Sequence, residues 1–338
     1  MEKLVKVAVD AMGGDHAPGE VVKGAVDAVN EKNNLKVFLV GKAPRIHEEL
    51  SKYQYKNEQI EVVNAEEEIS CDESPVEAIR KKKDSSMVVA LKMVKDKTAD
   101  AFVSAGSTGA FMAGGLLMVG RIKGIDRPAL CPILPTYDGK GFMLIDCGAN
   151  TNCKPINLFQ FAKMGSIYMN KVMHVEDPKV GLLNIGTEEG KGNDLTKEAF
   201  VKFSETDEFN FYGNVEGRDI FNGDVSVVVS DGFTGNVTLK TIEGMGSMIS
   251  KLLKEELNAN IWRKLLAALL MPALKNFKKR MDYSEYGGAL LLGIKKPMVK
   301  CHGTANAKIV KYTLVQAENF AKNKVVETIE NEIKKEEL

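Results

Sequence analysis

The chain of 338 residues lacks the features that mark exported and membrane-spanning proteins. Its N-terminus, from Met1 to Val5, shows neither the apolar stretch nor the cleavage site of a signal peptide. The longest apolar run, Leu265 to Leu274, is about half of the roughly 20 residues that a membrane span requires. These absences predict a cytoplasmic protein without a spanning helix, and they leave peripheral contact with a membrane open.

Cysteine and histidine are few and scattered, which argues against disulfides and against zinc. The chain has five cysteines and four histidines, with no CxxC knuckle and no HExxH pair. Widely spaced cysteines in odd number are typical of reduced thiols in the cytosol. The pair Cys301-His302 invites interpretation as a nucleophile and its base, but adjacent residues seldom aim their side chains at one point. We therefore expect no metal site and no activated cysteine.

Charge is balanced, and the common nucleotide motifs are absent. Lys and Arg together number 46, as do Asp and Glu, so no overall field attracts nucleic acid and we expect no such partner. Neither GxGxxG nor GxxxxGK[ST] occurs, which removes support for dinucleotide and Walker-type ATP binding. No serine lies in a GxSxG elbow, so an acyl-enzyme intermediate is not expected.

Short apolar runs alternate with helical patterns along most of the chain. The predicted strands are Leu4–Asp10, Leu35–Val40, Ile60–Val63, Ala101–Ser104, Ala129–Leu134, Phe142–Asp146, Val180–Ile185 and Val225–Ser230. The intervening predicted helices are Glu20–Lys32, Ser85–Lys97, Gly109–Gly120 and Leu158–Asn170. The runs are continuously apolar, as expected of strands covered on both faces. This order predicts an α/β fold with a mostly parallel, doubly wound sheet.

From Gly235 the pattern becomes helical. The predicted helices there are Gly246–Leu257, Ile261–Asp282 and Ala305–Glu332. Pro272 should kink or break the second helix, and Thr304 is the expected N-cap of the last. Since no linker or repeat is visible, we predict one α/β/α domain over residues 1–338, with a helical contact region over 235–290.

The residues that directly follow the strands are the informative ones, because ligands bind beyond the carboxyl ends of strands in an open α/β sheet. Five strand ends, beginning at Asp10, Ser104, Asp146, Asn184 and Ser230, combine glycine with small polar side chains. Glycine lets backbone N–H groups close on an anion, and the next helix N-terminus adds a favourable dipole. Tight turns need Gly and Ser in any case, so one such loop means little. Five of them favour a small-anion site.

The anion-binding candidates come mostly from these loops. They are Gly13, Gly14, Asp15, Ser104, Gly106, Ser107, Thr108, Gly109, Asn150, Asn184, Gly232 and Gly235. Positive charge for the anion could come from Arg80, Lys81 and Lys82, which lie close to a Ser-Ser helix start, or from Lys191. A run of basic residues is equally compatible with a solvated face.

The segment from Ile261 to Arg280 is the most distinctive helical stretch, because a broad apolar surface is flanked by basic residues. The residues selected on it are Arg263, Lys264, Leu269, Leu270, Lys275, Lys278, Lys279 and Arg280. A dimer interface with a solvated basic end is one interpretation. A surface for an acidic carrier, an acyl chain or the membrane interface is the other, and one surface could serve several partners.

Several motifs resemble those of the bacterial acyl-acyl carrier protein:phosphate acyltransferase family. They are Val9-Asp10-Ala11-Met12-Gly13-Gly14-Asp15, Arg80 to Met87, Ser104-Ala105-Gly106-Ser107-Thr108-Gly109-Ala110, Gly181 to Gly186, Gly213 to Asp219, Asp231 to Asn236, Tyr286 to Ala289 and His302-Gly303. Ser107 stands where the family usually has Asn, and Asn306 where it commonly has Asp. Neither difference removes a glycine from the loops. The resemblance runs from the first strand to the last helix.

The resemblance implies a homodimer with a Rossmann-like α/β/α fold, without a metal or nucleotide cofactor. It also implies transfer of a fatty acyl group from acyl carrier protein to inorganic phosphate. The acyl phosphate product would serve glycerol-3-phosphate acyltransferase in phosphatidic acid synthesis, with peripheral association to the membrane.

In a direct transfer, positioning and oxyanion stabilisation are the tasks for side chains. The candidate catalytic residues are Asp10, Asp231, Thr234, Asn236 and His302. One alternative is a decarboxylating dehydrogenase on a related scaffold, which needs clustered carboxylates for a metal and a nucleotide site, and the sequence shows neither. The other is a membrane or carrier-protein adaptor built around Ile261–Arg280, in which the five loops would bind no anion.

Overall fold

The computed structural model describes residues 4–281 and 286–334, without the side chains of residues 278–281. The strands are β1 (Val5–Asp10), β2 (Leu35–Gly41), β3 (Ile60–Asn64), β4 (Ala101–Ser104), β5 (Ala129–Cys131), β6 (Ile133–Leu134), β7 (Phe142–Ile145), β8 (Lys179–Asn184), β9 (Asn210–Glu216), β10 (Val227–Val229), β11 (Ala289–Leu292) and β12 (Met298–Lys300). They form two sheets, with the orders β3-β2-β1-β4-β12-β11-β5 and β6-β7-β10-β8-β9. Antiparallel pairing involves β11 and β6, and the other neighbours are parallel. The predicted α/β class is confirmed.

Helices separate most of the strands along the chain. They are α1 (Gly19–Glu31), α2 (Ala43–Leu50), α3 (Pro75–Lys81), α4 (Ser86–Lys95), α5 (Thr108–Gly114), α6 (Pro155–Lys171), α7 (Asp194–Ser204), α8 (Gly232–Asn258), α9 (Ile261–Leu269), α10 (Met271–Met281), α11 (Ala307–Lys322) and α12 (Val325–Lys334). In the part of the chain that the structure describes, no helix combines the length and the apolar content needed to cross a bilayer.

The first sheet is covered on both faces, which explains why its strands are apolar throughout. Val9 of β1 belongs to a core cluster with Val26 of α1 and Leu314 of α11. Ala8, whose side chain points to the other face, packs in a second cluster with residues of α4 and α5, such as Leu91. Successive side chains of a strand alternate between the faces, so polar residues at the strand ends extend one or the other apolar layer.

Several predicted boundaries are wrong, each for a local reason. The run Ala129–Leu134 is two strands, β5 and β6, which belong to different sheets and flank Pro132. The last predicted helix is interrupted at Lys324, whose φ of 51° is left-handed, so it forms α11 and α12. Its N-cap is Asn306 rather than Thr304, since the Asn306 side chain accepts the Ile309 N–H at 3.1 Å.

The helical region near the C-terminus agrees with the expected break. Helix α9 ends at Leu269 and α10 begins at Met271, so the interruption falls next to Pro272 as predicted. Helix α8 begins at Gly232, much earlier than the predicted start at Gly246. Strands β9, β11 and β12 were not predicted.

Candidate functional site

Asp10, at the end of β1, is the centre of a buried polar group. Its carboxylate accepts hydrogen bonds from the hydroxyls of Ser86, at 2.6 Å, and Ser104, at 2.7 Å. The Met12 N–H also donates to it, at 3.3 Å. Burial raises the pKa of Asp10, and the hydrogen bonds from Ser86 and Ser104 oppose this shift. Because Ser86 opens α4 and Ser104 ends β4, three elements fix this carboxylate.

Glycine is required where the β1 and β4 loops meet. A Cβ on Gly13 would lie 2.5 Å from Oδ2 of Asp10 and 2.6 Å from the Gly106 nitrogen. Gly14 has a φ of 100°, and a Cβ there would lie 2.9 Å from that of Ala105. The Gly106 N–H donates to the Ser104 hydroxyl at 3.0 Å. The Ser104 hydroxyl therefore orients the loop, because its hydrogen goes to Asp10 and its oxygen accepts from Gly106.

The same edge gathers the loop before α11 and the start of α5. The Asp15 N–H donates to the Gly303 carbonyl at 2.8 Å, which joins the β1 loop to the His302 loop. His302 is exposed, and its Nδ1 lies 2.9 Å from the Thr304 hydroxyl. At the start of α5, Ser107 is the N-cap, while Thr108 and Gly109 are exposed. Helix-start N–H groups have no partner within their helix.

Asp146 holds a second polar group, at the junction of the two sheets. Its carboxylate accepts the N–H of Leu130 in β5 at 2.8 Å, and the N–H groups of Ala149, at 3.2 Å, and Asn150, at 2.7 Å. The Asn150 side-chain amide donates to it as well, at 3.0 Å. These bonds favour the charged form, yet burial prevails and raises the pKa of Asp146 to about 6. Asn150 donates to Asp146 from both its backbone and its side chain, so it holds the loop against the end of β7.

Asp231, after β10, caps helix α8 with its own carboxylate. It accepts the N–H groups of Phe233 and Thr234, both at 3.0 Å, and the Thr234 hydroxyl at 2.7 Å. Gly232 and Gly235 are buried against the β7 end, where the Gly232 N–H donates to the Asn150 carbonyl at 2.8 Å. A negative charge thus already occupies this helix N-terminus.

Asn236 and the turn after β8 lie at further points of the second sheet. Asn236 is exposed and approaches Gly148, where an added Cβ would lie 3.6 Å from its Cγ. Asn184 donates to the Lys191 carbonyl at 3.1 Å and to the side chain of Asn214 at 3.0 Å. The Lys191 ammonium is half exposed and lies 4.0 Å from Glu188. Asn184 therefore holds the turn that carries Lys191.

Two of the three basic candidates at the end of α3, Lys81 and Lys82, are engaged with neighbouring acidic and carbonyl groups. Lys82 contacts Glu73 at 2.7 Å and donates to the Glu68 carbonyl at 2.7 Å. Lys81 lies 3.3 Å from Glu77, and Arg80 is exposed. The structure thus pairs Lys81 and Lys82 with acidic residues nearby. The anion-binding roles of Arg80, Lys81 and Lys82 stay predictions.

Helices α9 and α10 expose a large apolar surface, together with part of α8. Leu269 is 80% exposed and Trp262 is 74% exposed, although large apolar patches are uncommon on free surfaces of monomers. Further apolar residues of this surface are Met248, Leu252, Leu265, Leu266, Leu270 and Phe277. The basic residues Arg263, Lys264 and Lys275 are exposed beside them. The side chains of Lys278, Lys279 and Arg280 lie outside the described part of the chain. We call the surface of α8, α9 and α10 the helical arm.

The predicted loops thus fall into three hydrogen-bonded groups: around Asp10, around Asp146, and around Asn184. That all five loops meet at one site stays a prediction. The sequence analysis did not select Ser86, which donates to Asp10, or Lys300, which pairs in register with Ser104. Lys300 ends β12 directly before Cys301-His302, and a lysine at the end of an apolar strand was the signal available for it. A surface cavity of about 490 Å³ lies beside α7 and β9, and another of about 520 Å³ lies beside α6, α12 and the start of β9. Neither is lined by Asp10, Asp146 or Asn184.

Comparisons with known proteins identify the family to which this chain is similar. The sequence model of the family described as "Fatty acid synthesis protein" matches residues 5–328. The chain is 53% identical over 329 residues to the phosphate acyltransferase of Thermoanaerobacter pseudethanolicus, covering 97% of each chain. It is 54% identical over 325 residues to that of Alkaliphilus oremlandii, covering 96% of each.

A solved structure supports the fold alone, because its sequence is distant. The phosphotransacetylase from Streptococcus pyogenes is similar, with a TM-score of 0.62 at 18% identity. The match covers 96% of this chain and 94% of that one. The overall fold is therefore shared with that phosphotransacetylase.

Proposed function

Since this chain belongs to the phosphate acyltransferase family, we propose that it transfers a fatty acyl group from the thioester of acyl carrier protein to inorganic phosphate. The acyl phosphate would then acylate glycerol 3-phosphate on the route to phosphatidic acid. The proposal places phosphate at the edge formed by the β1, β4 and β12 ends.

One observation carries the choice of this edge. At the second sheet, the carboxylate of Asp231 already accepts the first N–H groups of α8, so these donors are not available to an incoming anion. At the first sheet, the neutral side chain of Ser107 caps α5, accepting the Ala110 N–H at 3.4 Å. Exposed Thr108 and Gly109 follow it. A helix start without an acidic cap favours a bound anion.

The reaction needs positioning more than activation of phosphate. An oxygen of hydrogen phosphate attacks the thioester carbonyl carbon, a C–O bond forms, and a tetrahedral oxyanion results. The oxyanion collapses, the C–S bond breaks, and the proton of hydrogen phosphate ends on the carrier thiol. His302 borders the Asp10 group and Asn236 the Asp146 group, and either side chain could donate to the oxyanion. Asp10 positions the loops through Ser86 and Ser104 rather than taking a proton.

The test mixes purified protein, acyl carrier protein loaded with palmitate, and radiolabelled phosphate. We expect label in an organic-soluble acyl phosphate, formed in step with release of the carrier thiol. One control replaces phosphate with sulfate and should release no carrier thiol. The other replaces the thioester with free palmitate and should give no labelled product. Release of free palmitate with no labelled acyl phosphate would contradict the proposal.

The helical arm is the proposed contact surface for the partners: a second copy in a homodimer, acyl carrier protein, and the surface of the membrane. Its exposed apolar residues and the nearby Arg263, Lys264 and Lys275 support this, because an acidic carrier or an anionic lipid surface suits a basic rim. Contact with the membrane would also bring the product to glycerol-3-phosphate acyltransferase.

The double variant Leu266→Glu with Leu269→Glu is expected to disrupt these contacts, because two charges are placed on the apolar surface. We expect a lower mass in light scattering and reduced sedimentation with vesicles that contain anionic phospholipid. Val201→Glu is the matched control, since Val201 is 56% exposed on α7, away from the arm. Unchanged mass, vesicle binding and carrier KM in the double variant would eliminate the arm as a contact surface.

A further inference from the structure

Lys300 lies in one row with Asp10 and Ser104 across three adjacent parallel strands. Asp10 of β1 pairs in register with Ser104 of β4, and Ser104 pairs in register with Lys300 of β12. Residues in register project to the same face of a sheet. The residues two positions earlier in β4 and β12, Phe102 and Met298, line the second core cluster on that face. The row therefore closes this apolar layer with polar groups at the edge where phosphate is proposed to bind.

The ammonium of Lys300 is almost completely buried, with 7% of the residue exposed. It donates a hydrogen bond to the Cys301 carbonyl. An ammonium has three N–H donors, and among the described residues no second acceptor for Lys300 is found within hydrogen-bonding distance. The Lys300 ammonium therefore has N–H groups left for a further acceptor, which a buried cation requires.

The strand register places Lys300 beside Ser104, which in turn lies beside Asp10. Burial lowers the pKa of Lys300, while Cys301, Asp10, Cys71 and Asp15 oppose the shift. The loop that follows Lys300 meets the glycine loop of β1, because the Asp15 N–H donates to the Gly303 carbonyl at 2.8 Å. The carboxylate of Asp10 already accepts three hydrogen bonds from other groups. It therefore compensates the charge of the Lys300 ammonium and leaves N–H donors of that ammonium for another acceptor.

We propose that Lys300 is the cation that binds the acceptor phosphate, contacting one of its oxygens from the floor of the Asp10 group. The inference rests on the proposed function and names a residue for it. Charge-assisted hydrogen bonds are stronger than neutral ones, and their strength grows where water is excluded. The other basic candidates contribute less, since Lys81 and Lys82 are paired with Glu77 and Glu73.

Lys300 acts as a fixed charge in this reaction and transfers no proton. It binds the phosphate oxygen that does not attack, and it keeps its three hydrogens throughout. The attacking oxygen, the broken C–S bond and the proton on the carrier thiol are the same as in the proposed reaction. The residue should therefore affect phosphate binding far more than thioester binding.

The test compares Lys300→Met and Lys300→Gln with the wild-type enzyme. Methionine has a similar length and no charge, and the glutamine amide can still donate to the Cys301 carbonyl. We expect both variants to raise the KM for phosphate at least tenfold and the KM for the acyl carrier thioester less than threefold. Phosphate, at a concentration that raises the Tm of the wild-type protein, should no longer raise theirs.

The matched control is Lys163→Met, which removes another buried lysine. Lys163 is 6% exposed on α6 and contacts Glu208 at 2.6 Å, so its loss should lower the Tm and leave the KM for phosphate unchanged. A Lys300 variant that behaves like the control, with a lower Tm and an unchanged phosphate KM, would overturn the inference. Wild-type enzyme without phosphate-dependent activity would instead refute the proposed function.

A measurement on the wild-type protein tests the inference even if the variants do not fold. With ¹⁵N-labelled lysine, the Lys300 ammonium resonance should shift on addition of phosphate and stay in place with equal chloride. The resonance is assigned by its absence from Lys300→Arg. An ammonium signal that does not respond to saturating phosphate would eliminate Lys300 as a ligand, whatever the variants do.

Discussion

Gly235→Ala is expected to lower the free energy of unfolding by more than about 3 kcal/mol, at the upper end of ordinary overpacking costs. A Cβ on Gly235 would lie 1.9 Å from the backbone oxygen of Asp146 and 2.6 Å from the Ser230 hydroxyl. That oxygen cannot withdraw easily, because the Asp146 N–H donates to the Ser230 carbonyl at 3.1 Å and fixes the end of β7 against β10. Urea unfolding followed by circular dichroism measures the change.

Gly244→Ala is the matched control, because Gly244 lies in the same helix and an added Cβ there meets no atom within 4 Å. Alanine in a helix is favoured over glycine by about 0.5–1 kcal/mol, so this variant should be slightly more stable than the wild-type protein. Equal effects of the two substitutions would show that the contact with Asp146 is not as tight as described.

Gly13→Ala is expected to reduce kcat/KM for phosphate by about 100-fold, with a smaller loss of stability. Its Cβ would displace the Asp10 carboxylate or the Gly106 N–H, since it would lie 2.5 Å from one and 2.6 Å from the other. Displacements of about 1 Å at a positioning group can cost about two orders of magnitude in rate. Steady-state kinetics with varied phosphate, beside thermal unfolding, separates the two effects.

Gly19→Ala is its control, at the first residue of α1. The nearest atom to an added Cβ there is Oε2 of Glu49, at 3.7 Å, which is an ordinary contact. Activity within threefold of wild type is expected for this variant. If Gly13→Ala were equally active, the Asp10 group would not be part of the reacting site.

Apolar periodicity identified the buried parallel strands, because covering both faces leaves an uninterrupted apolar run. It missed β9, an edge strand in which Asn210, Tyr212 and Asn214 interrupt the run. It also merged β5 and β6, since the assignment of neighbouring runs to different sheets depends on contacts far apart in the chain.

The polar loops at the strand ends were predicted from glycine, serine and aspartate, but their internal bonding was not. Sequence alone could not show that Asp231 occupies its own helix start while Ser107 leaves the start of α5 without an acidic cap. Lys300 was missed for a related reason. Its place beside Ser104 results from pairing of β12 with β4, and no local pattern encodes that pairing.

Near the start of α8, Gly235 is in tight contact with the end of β7. The 27 residues of this helix extend about 40 Å along its axis at 1.5 Å per residue. In a rigid helix of this length, a small tilt at the N-terminal end becomes a larger displacement at the C-terminal end. A tilt of about 5° there moves the far end by roughly 3–4 Å. A contact that tilted the far end would therefore also displace the backbone at Gly235, which lies against Asp146.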